Sequence, residues 1–384
     1  MSSPPPSSRL VSIDALRGLV MLIMLLDHVR ETFYLHYQVG DPMDVASTSP
    51  ELFFSRLAAH VCAPVFIFLT GLSAWLYGQK TSRSDTSRFL LTRGFFLVVL
   101  EVTLVNFAWT FQFPPTVVYL QVIWVIGLSM IALAALIWLP RPVLALIGIA
   151  LVAGHNLLDA VHVAPGSALH VPWAILHDRG WIEVSDTLRL RTSYPWLPWI
   201  GVIALGYAIG PWFGAGTNAL ARQRRLLALG AASLLTFGVL RGFNAYGQAQ
   251  PWTPGDTALQ SVMSFLNITK YPPSLFFLLV TLGLGLWLLA LLERAPAQAR
   301  WLHALRGYGG APMFFYLLHL YVLKLLYLGA VAIWGLNQGT YFGFSSMAGI
   351  WLCTLLLAVA LYPPVRAFAA LKARRRDITW LKYL

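Results

Sequence analysis

Charge is what this sequence has least of. Only 11% of its 384 residues are Asp, Glu, Lys or Arg, against ~25% in soluble domains, while 58% are hydrophobic and the mean hydropathy is +0.67. A water-soluble fold of this length cannot hide so much apolar surface, so lipid is the expected solvent. Cysteine is nearly missing: Cys62 and Cys353 both lie in apolar blocks, which argues against a disulfide framework. Acidic residues are few as well, 15 against 27 Lys and Arg, for a net charge of +12. The basic residues sit in short segments between apolar blocks rather than along one polar face, so they read as topology signals and not as a nucleic-acid surface. P-loops, dinucleotide glycine fingerprints and GxSxG elbows are missing. The nine histidines lack metal-ligand spacing, so no metal is expected, and His155, His162, His170 and His177 read as loop histidines. The lack of motif-level internal repeats counts against an inverted-repeat transporter. No small-residue cleavage site precedes Asp14, so residues 1–8 read as a disordered cytosolic tail rather than a signal peptide.

What is present in abundance is apolar blocks of roughly 20 residues, the length needed to cross a ~30 Å hydrocarbon core as a helix. They predict an all-α polytopic transmembrane helix bundle of about ten spans, near residues 15–36, 52–79, 87–109, 117–138, 142–159, 195–213, 225–242, 272–293, 310–334 and 346–370. Pro114-Pro115, Pro140 with Pro142, Pro195 with Pro198, Pro272-Pro273 and Pro363-Pro364 punctuate the junctions. With spans alternating, most Lys and Arg fall on one side, from Arg9, Arg17 and Lys80 to Lys372 and Arg374. Only Arg30, Arg179, Arg189, Arg191, Arg241 and Lys270 fall on the other. That bias places both termini in the cytoplasm of a bacterial inner membrane. Residues 9–371 form one membrane domain and residues 372–384 a basic cytosolic tail. The loops 37–51, 160–194 and 243–271 face outward and are rich in Trp, His and Asp, so function is expected on that side.

An ionisable side chain at mid-bilayer costs at least ~2.5 kcal/mol on insertion scales, which makes each one a site candidate. The first span has the richest set. Asp14 precedes its apolar run and can cap the helix. Arg17 and His28 are eleven residues apart, about 20° from alignment on one face and ~16 Å apart along the axis. The plainer readings are a snorkelling anchor for Arg17 and a packed histidine for His28. Asp27 points about 100° away from His28; pairing with Arg30 or Arg56 competes with a substrate role. Arg56, His60 and Pro64 follow one stripe of the second span, where Pro64 frees the carbonyl of His60. Glu101 and Asn106 in the third span, and His319 and Lys324 in the ninth, complete the intramembrane set. Asn267, Lys270 and Tyr271 enter the eighth span from outside and form a candidate substrate rim.

The opening Arg9-Leu-Val-Ser-Ile-Asp-Ala-Leu-Arg-Gly18 resembles the R-x-x-S-[IV]-D-x-[LF]-R-G signature of the membrane acyltransferase superfamily. That group includes the heparan-α-glucosaminide N-acetyltransferase catalytic-domain family and, more distantly, acyltransferase 3. The stretches Leu26–Arg30, His60–Gly71, Tyr194–Gly201, Thr269–Leu275 and Phe314–Leu320 match in order and extend the likeness over most of the chain. The resemblance implies acetyl-CoA or another acyl-CoA bound from the cytosol as cosubstrate, and an acyl group passed to an outer-face acceptor by a membrane histidine. The acyltransferase 3 pattern of an arginine and a histidine eleven positions on is similar to Arg17 and His28. The heparan enzyme instead carries asparagine and aspartate where His28 and His60 fall, and its functional histidine lies nearest His36. Three histidines are therefore offered.

The expected function is transfer of an acyl group to an envelope sugar or glycolipid. His28, His60, Glu101 and His36 are the catalytic candidates and Arg17 and Asp14 the cosubstrate-binding ones. Asp27, Asn106, Asn267, Lys270, Tyr271 and His319 are the substrate-binding candidates. The bilayer and the outer-face acceptor are the expected partners, with a homo-oligomer left open. A proton-coupled transporter or flippase using the same residues as a relay is the rival, and a scaffold whose polar residues only glue helices is a third reading.

Overall fold

The computed structural model describes residues 8–34, 43–296, 298–375 and 377–383 of the chain. Helix α1 (Ser8–Phe33) is followed by α2 (Pro50–Ala59), α3 (Cys62–Gly78) and α4 (Arg83–Leu100). A π-helical segment (Glu101–Val105) joins α4 to α5 (Asn106–Thr110). Strand β1 (Val117–Leu120) then precedes α6 (Val122–Leu136), α7 (Arg141–Gly154) and α8 (His170–Leu176), and β2 (Trp181–Ser185) and β3 (Leu188–Thr192) form a hairpin. Helices α9 (Leu197–Ala208), α10 (Ala219–Gly242), α11 (Ala258–Leu266), α12 (Leu275–Arg294), α13 (Arg300–Gly309), α14 (Pro312–Trp334) and α15 (Met347–Arg374) follow.

Among the described residues, seven helical segments are long and apolar enough to cross a membrane: Pro50–Gly78, Arg83–Thr110, Arg141–Leu158, Ala219–Gly242, Leu275–Arg294, Pro312–Trp334 and Met347–Arg374. Shorter apolar helices cover Val122–Leu136 and Leu197–Phe213. Helix α1, at 26 residues, has the length but carries Asp14, Arg17, Asp27 and Arg30, each held in an ion pair. Local sequence sets the helix starts. Ser49 accepts from the Leu52 amide ahead of Pro50, and Ser82 accepts from the Asp85 amide. Asn218 accepts from the Leu220 and Ala221 amides, and Thr257 with Gln260 forms a capping box. Each satisfies amides that have no partner inside their own helix.

The chain divides into two compact units. The first comprises Met1–Cys62, Thr253–Asn267 and Leu288–Leu384, and in it α1 packs against α2, α13, α14 and α15. Two glycines set the approach of α1 to α13. A Cβ at Gly18 would collide with the carbonyl oxygen of Leu305, and one at Gly309 would collide with that of Asp14. Close helix approach through small residues is how membrane helices gain van der Waals contact without a hydrophobic drive. Asp14 lies inside α1 rather than capping it, since the helix begins at Ser8. Helix α15 runs through Pro363 and Pro364, which the sequence places at a junction. Neither proline has an amide for the carbonyl four residues before it, and one turn upstream of the pair the Tyr308 hydroxyl donates to the Ala358 carbonyl.

The second unit comprises Ala63–Trp252 and Ile268–Trp287. Helix α4 packs on α6, and α9 packs on α6 and α7. Gly71 and Gly206 repeat the close approach: a Cβ on either would collide with the carbonyl of Ile203 or Phe68 respectively. Residues 117–120, read from sequence as the start of a helical span, are instead a strand. β1 runs parallel to β3, and β3 pairs antiparallel with β2. The Asn106 side chain clasps that strand with two bonds, donating to the Val117 carbonyl at 3.1 Å and accepting from the Tyr119 amide at 3.0 Å. Glu101 accepts from the first-turn amide of Trp124 at 2.9 Å. The π turn places both side chains, its wider coil shifting the helix face within one segment. The histidines of residues 155–178 are loop staples: His155 bonds the Pro273 carbonyl at 2.6 Å, His177 the His155 carbonyl at 3.1 Å, and His170 the Val163 carbonyl at 3.1 Å.

Candidate active site

The first unit builds a histidine pair from helices far apart in sequence. His28, in the C-terminal half of α1, places Nδ1 2.7 Å from Nε2 of His319 on α14. With ring centroids 4.9 Å apart and planes 15° from parallel, the two imidazoles meet edge to edge rather than stacking. His319 is fully buried, and its Nδ1 lies 2.7 Å from the Phe315 carbonyl one turn earlier. Tyr316 stands edge-on to both rings, 6.0 Å from His28 and 5.6 Å from His319.

These contacts fix the proton positions of the neutral pair. A carbonyl only accepts, so His319 Nδ1 carries a hydrogen and donates to Phe315. His319 Nε2 is then an acceptor, and His28 Nδ1 must donate to it. The lone pair of His28 consequently resides on Nε2, on a half-buried ring. This chain from carbonyl through two imidazoles makes Nε2 the unprotonated nitrogen of His28, the arrangement by which a second group sets the tautomer and orientation of a general base.

Asp27, the preceding residue, has another task. Its Oδ1 accepts from Arg30 Nε at 3.0 Å and Nη2 at 2.8 Å, and its Oδ2 accepts from Arg56 Nη1 at 2.5 Å. Arg30 and Asp27 are both buried, so the pairing neutralises a carboxylate that would be costly alone. At the other end of α1, Arg17 binds Asp14 at 2.9 Å. Arg306 and Lys372 also act on Asp14 electrostatically, each less than Arg17 does.

The other sequence candidates are dispersed. His60 is buried at the end of α2, where the helix breaks over residues 60–61 before α3 begins. Asn267 donates to the Met43 carbonyl at 2.9 Å within the first unit. Glu101, Asn106, Lys270 and Tyr271 belong to the second unit, where Glu101 and Asn106 hold α6 and β1. His36 lies outside the described residues. Sequence reading missed the Phe315 carbonyl and Tyr316; the i, i+4 spacing of Phe315 and His319 was the available signal.

Seven membrane-length apolar helical segments among the described residues define a multi-pass membrane protein. The chain belongs to the heparan-alpha-glucosaminide N-acetyltransferase catalytic family, whose pattern matches residues 9–240. No curated protein matches it at a significant level. His28 lies within the matched stretch and His319 beyond it.

Proposed function

We propose that the protein moves an acetyl group from cytosolic acetyl-CoA to a hydroxyl or amine of an envelope sugar or glycolipid, with His28 as general base. The observation that carries this reading is the 2.7 Å His28–His319 bond, oriented by the Phe315 carbonyl. In the reaction, His28 Nε2 takes the acceptor proton as the acceptor oxygen or nitrogen attacks the thioester carbonyl. The C–S bond then breaks, and the imidazolium returns the proton to the departing thiolate, giving acetylated acceptor and CoA. His319 is the positioning residue: it holds the His28 tautomer and shares the imidazolium proton.

The cationic group of Arg17, Arg306 and Lys372 supports donor binding. Arg17 lies about 16 Å along α1 from His28, and guanidinium and ammonium groups suit the phosphates of CoA. The pantetheine arm can bridge such a separation. The distribution of Lys and Arg supports a bacterial inner-membrane orientation with both termini inside and Arg17 at the cytosolic end. The test is acetyl-CoA binding to purified protein, comparing wild type with Arg17→Ala and His28→Ala. Binding that Arg17→Ala weakens and His28→Ala preserves supports the reading. A folded wild type that binds no CoA overturns it and returns the flippase reading.

A further inference from the structure

The second unit carries a group of cations that the acetyl-transfer reading does not use. Arg179 and Lys270 both lie over the ring of Tyr271, at 5.0 and 5.1 Å from its centroid. Arg189 and Arg191, on β3, lie over the Trp181 indole of β2 at 4.3 and 4.9 Å. Register explains the second pair, because Trp181 faces Arg191 directly across the ladder and Glu183 faces Arg189. The Tyr271 hydroxyl donates to that of Tyr194 at 3.2 Å, which fixes the first ring.

Among the described residues, none of the four cationic side chains makes a salt bridge or donates a hydrogen bond. Glu183 does not come within ion-pair distance of Arg189. Of the two carboxylates beside them, Asp178 is engaged by His162 and His177, and Glu183 pairs with none of the four cations. A guanidinium lying over an aromatic face spends its π surface there and keeps its N–H donors, which lie in its plane, available. Burial, and after it the charge of Arg179, lowers the Arg191 guanidinium from its ordinary range, against a smaller opposite effect of Tyr119. A bound anion would relieve that repulsion.

The charge count selects the ligand. A single carboxylate leaves most of the positive charge unmatched, whereas a phosphate or diphosphate supplies two or more negative charges and several acceptor oxygens for forked donors. Lys270 and Tyr271 immediately precede the membrane-length helix α12, so the group lies at the end of a span, where phosphate headgroups gather.

We infer that Arg179, Arg191 and Lys270, backed by Tyr271 and Trp181, form a binding site for a phosphate or diphosphate group. The source is either a lipid headgroup or a soluble phosphate ester. The inference does not depend on the transferase reading.

Protein in phosphatidylcholine nanodiscs is titrated with inorganic pyrophosphate and followed by tryptophan fluorescence, then compared with protein in discs containing phosphatidic acid. Wild type binds pyrophosphate, the exposed-site variant Arg179→Ala binds it more weakly, and the triple variant Arg179→Ala/Arg191→Ala/Lys270→Ala loses about tenfold or more. His28→Ala binds as wild type does, which separates this site from the proposed active site. Phosphatidic acid that displaces pyrophosphate identifies a lipid headgroup as the occupant; pyrophosphate binding unchanged in those discs identifies a soluble ester. Wild type that responds to neither phosphate, or a triple variant that retains its circular dichroism and binds as tightly as wild type, overturns the inference.

Discussion

His28 and His319 are bonded nitrogen to nitrogen at 2.7 Å, and the carbonyl of Phe315 dictates which of the two donates. Because His28 Nε2 is the basic end of that chain, His28→Ala is expected to lower the rate of acetyl transfer by about 10²–10⁴-fold. His319→Gln retains a side chain that can accept a hydrogen bond but cannot share the imidazolium proton, so kcat falls while KM for acetyl-CoA holds. Steady-state kinetics on both variants checks this split. Equal activity in His28→Ala and wild type would remove the histidine from the mechanism.

Protonation gives the second expectation. In the neutral pair His28 Nε2 can take a proton. One added proton either occupies that position or reverses the bond between the rings. Transfer should therefore persist at alkaline pH and fall on the acid side with a single-proton slope in kcat/KM. His319→Gln should move the midpoint of that limb, because His28 then loses its imidazole neighbour. A profile identical in the variant would argue that His319 has only a packing role.

How much of this was readable in advance differs by residue. The family follows from motifs in order along the chain and the helical membrane fold from the apolar blocks, and sequence carries such information directly. His319 was visible as a polar residue in an apolar block, but its partner lies 291 positions away, and periodicity cannot rank distant pairs. Val117-Val-Tyr-Leu120 read as helix because a short apolar run looks alike in both states; what makes it a strand is the Asn106 clasp and the pairing with β3. For Asp27 the sequence offers ion pairing beside substrate binding, and in the structure it pairs with both Arg30 and Arg56.

Asp27 supplies the third prediction. Asp27→Ala leaves Arg30 buried without its carboxylate, and breaking a buried pair from one side costs about 3–5 kcal/mol. Thermal unfolding in detergent should show a large fall in Tm, whereas Asp14→Ala, whose pair is partly solvent-exposed, should show little change. Similar melting of the two variants would mean that the buried network contributes no more than the exposed pair.

The glycine contact between α1 and α13 gives the fourth. Gly18→Ala places a methyl group against the backbone carbonyl of Leu305, which has no flexible side chain to move aside. The expected cost is about 1–3 kcal/mol from overpacking, seen as a lower Tm. Gly238→Ala, where a Cβ meets nothing within 4 Å, serves as the neutral control.

The central claim is most directly tested by reconstituting the protein and supplying acetyl-CoA, labelled in its acetyl group, from the Arg17 side with an envelope glycolipid extract opposite. The account predicts label in the extract with wild type and none with a His28→Ala variant that still binds CoA. Label transferred equally by both, or no CoA binding by folded wild type, would contradict it.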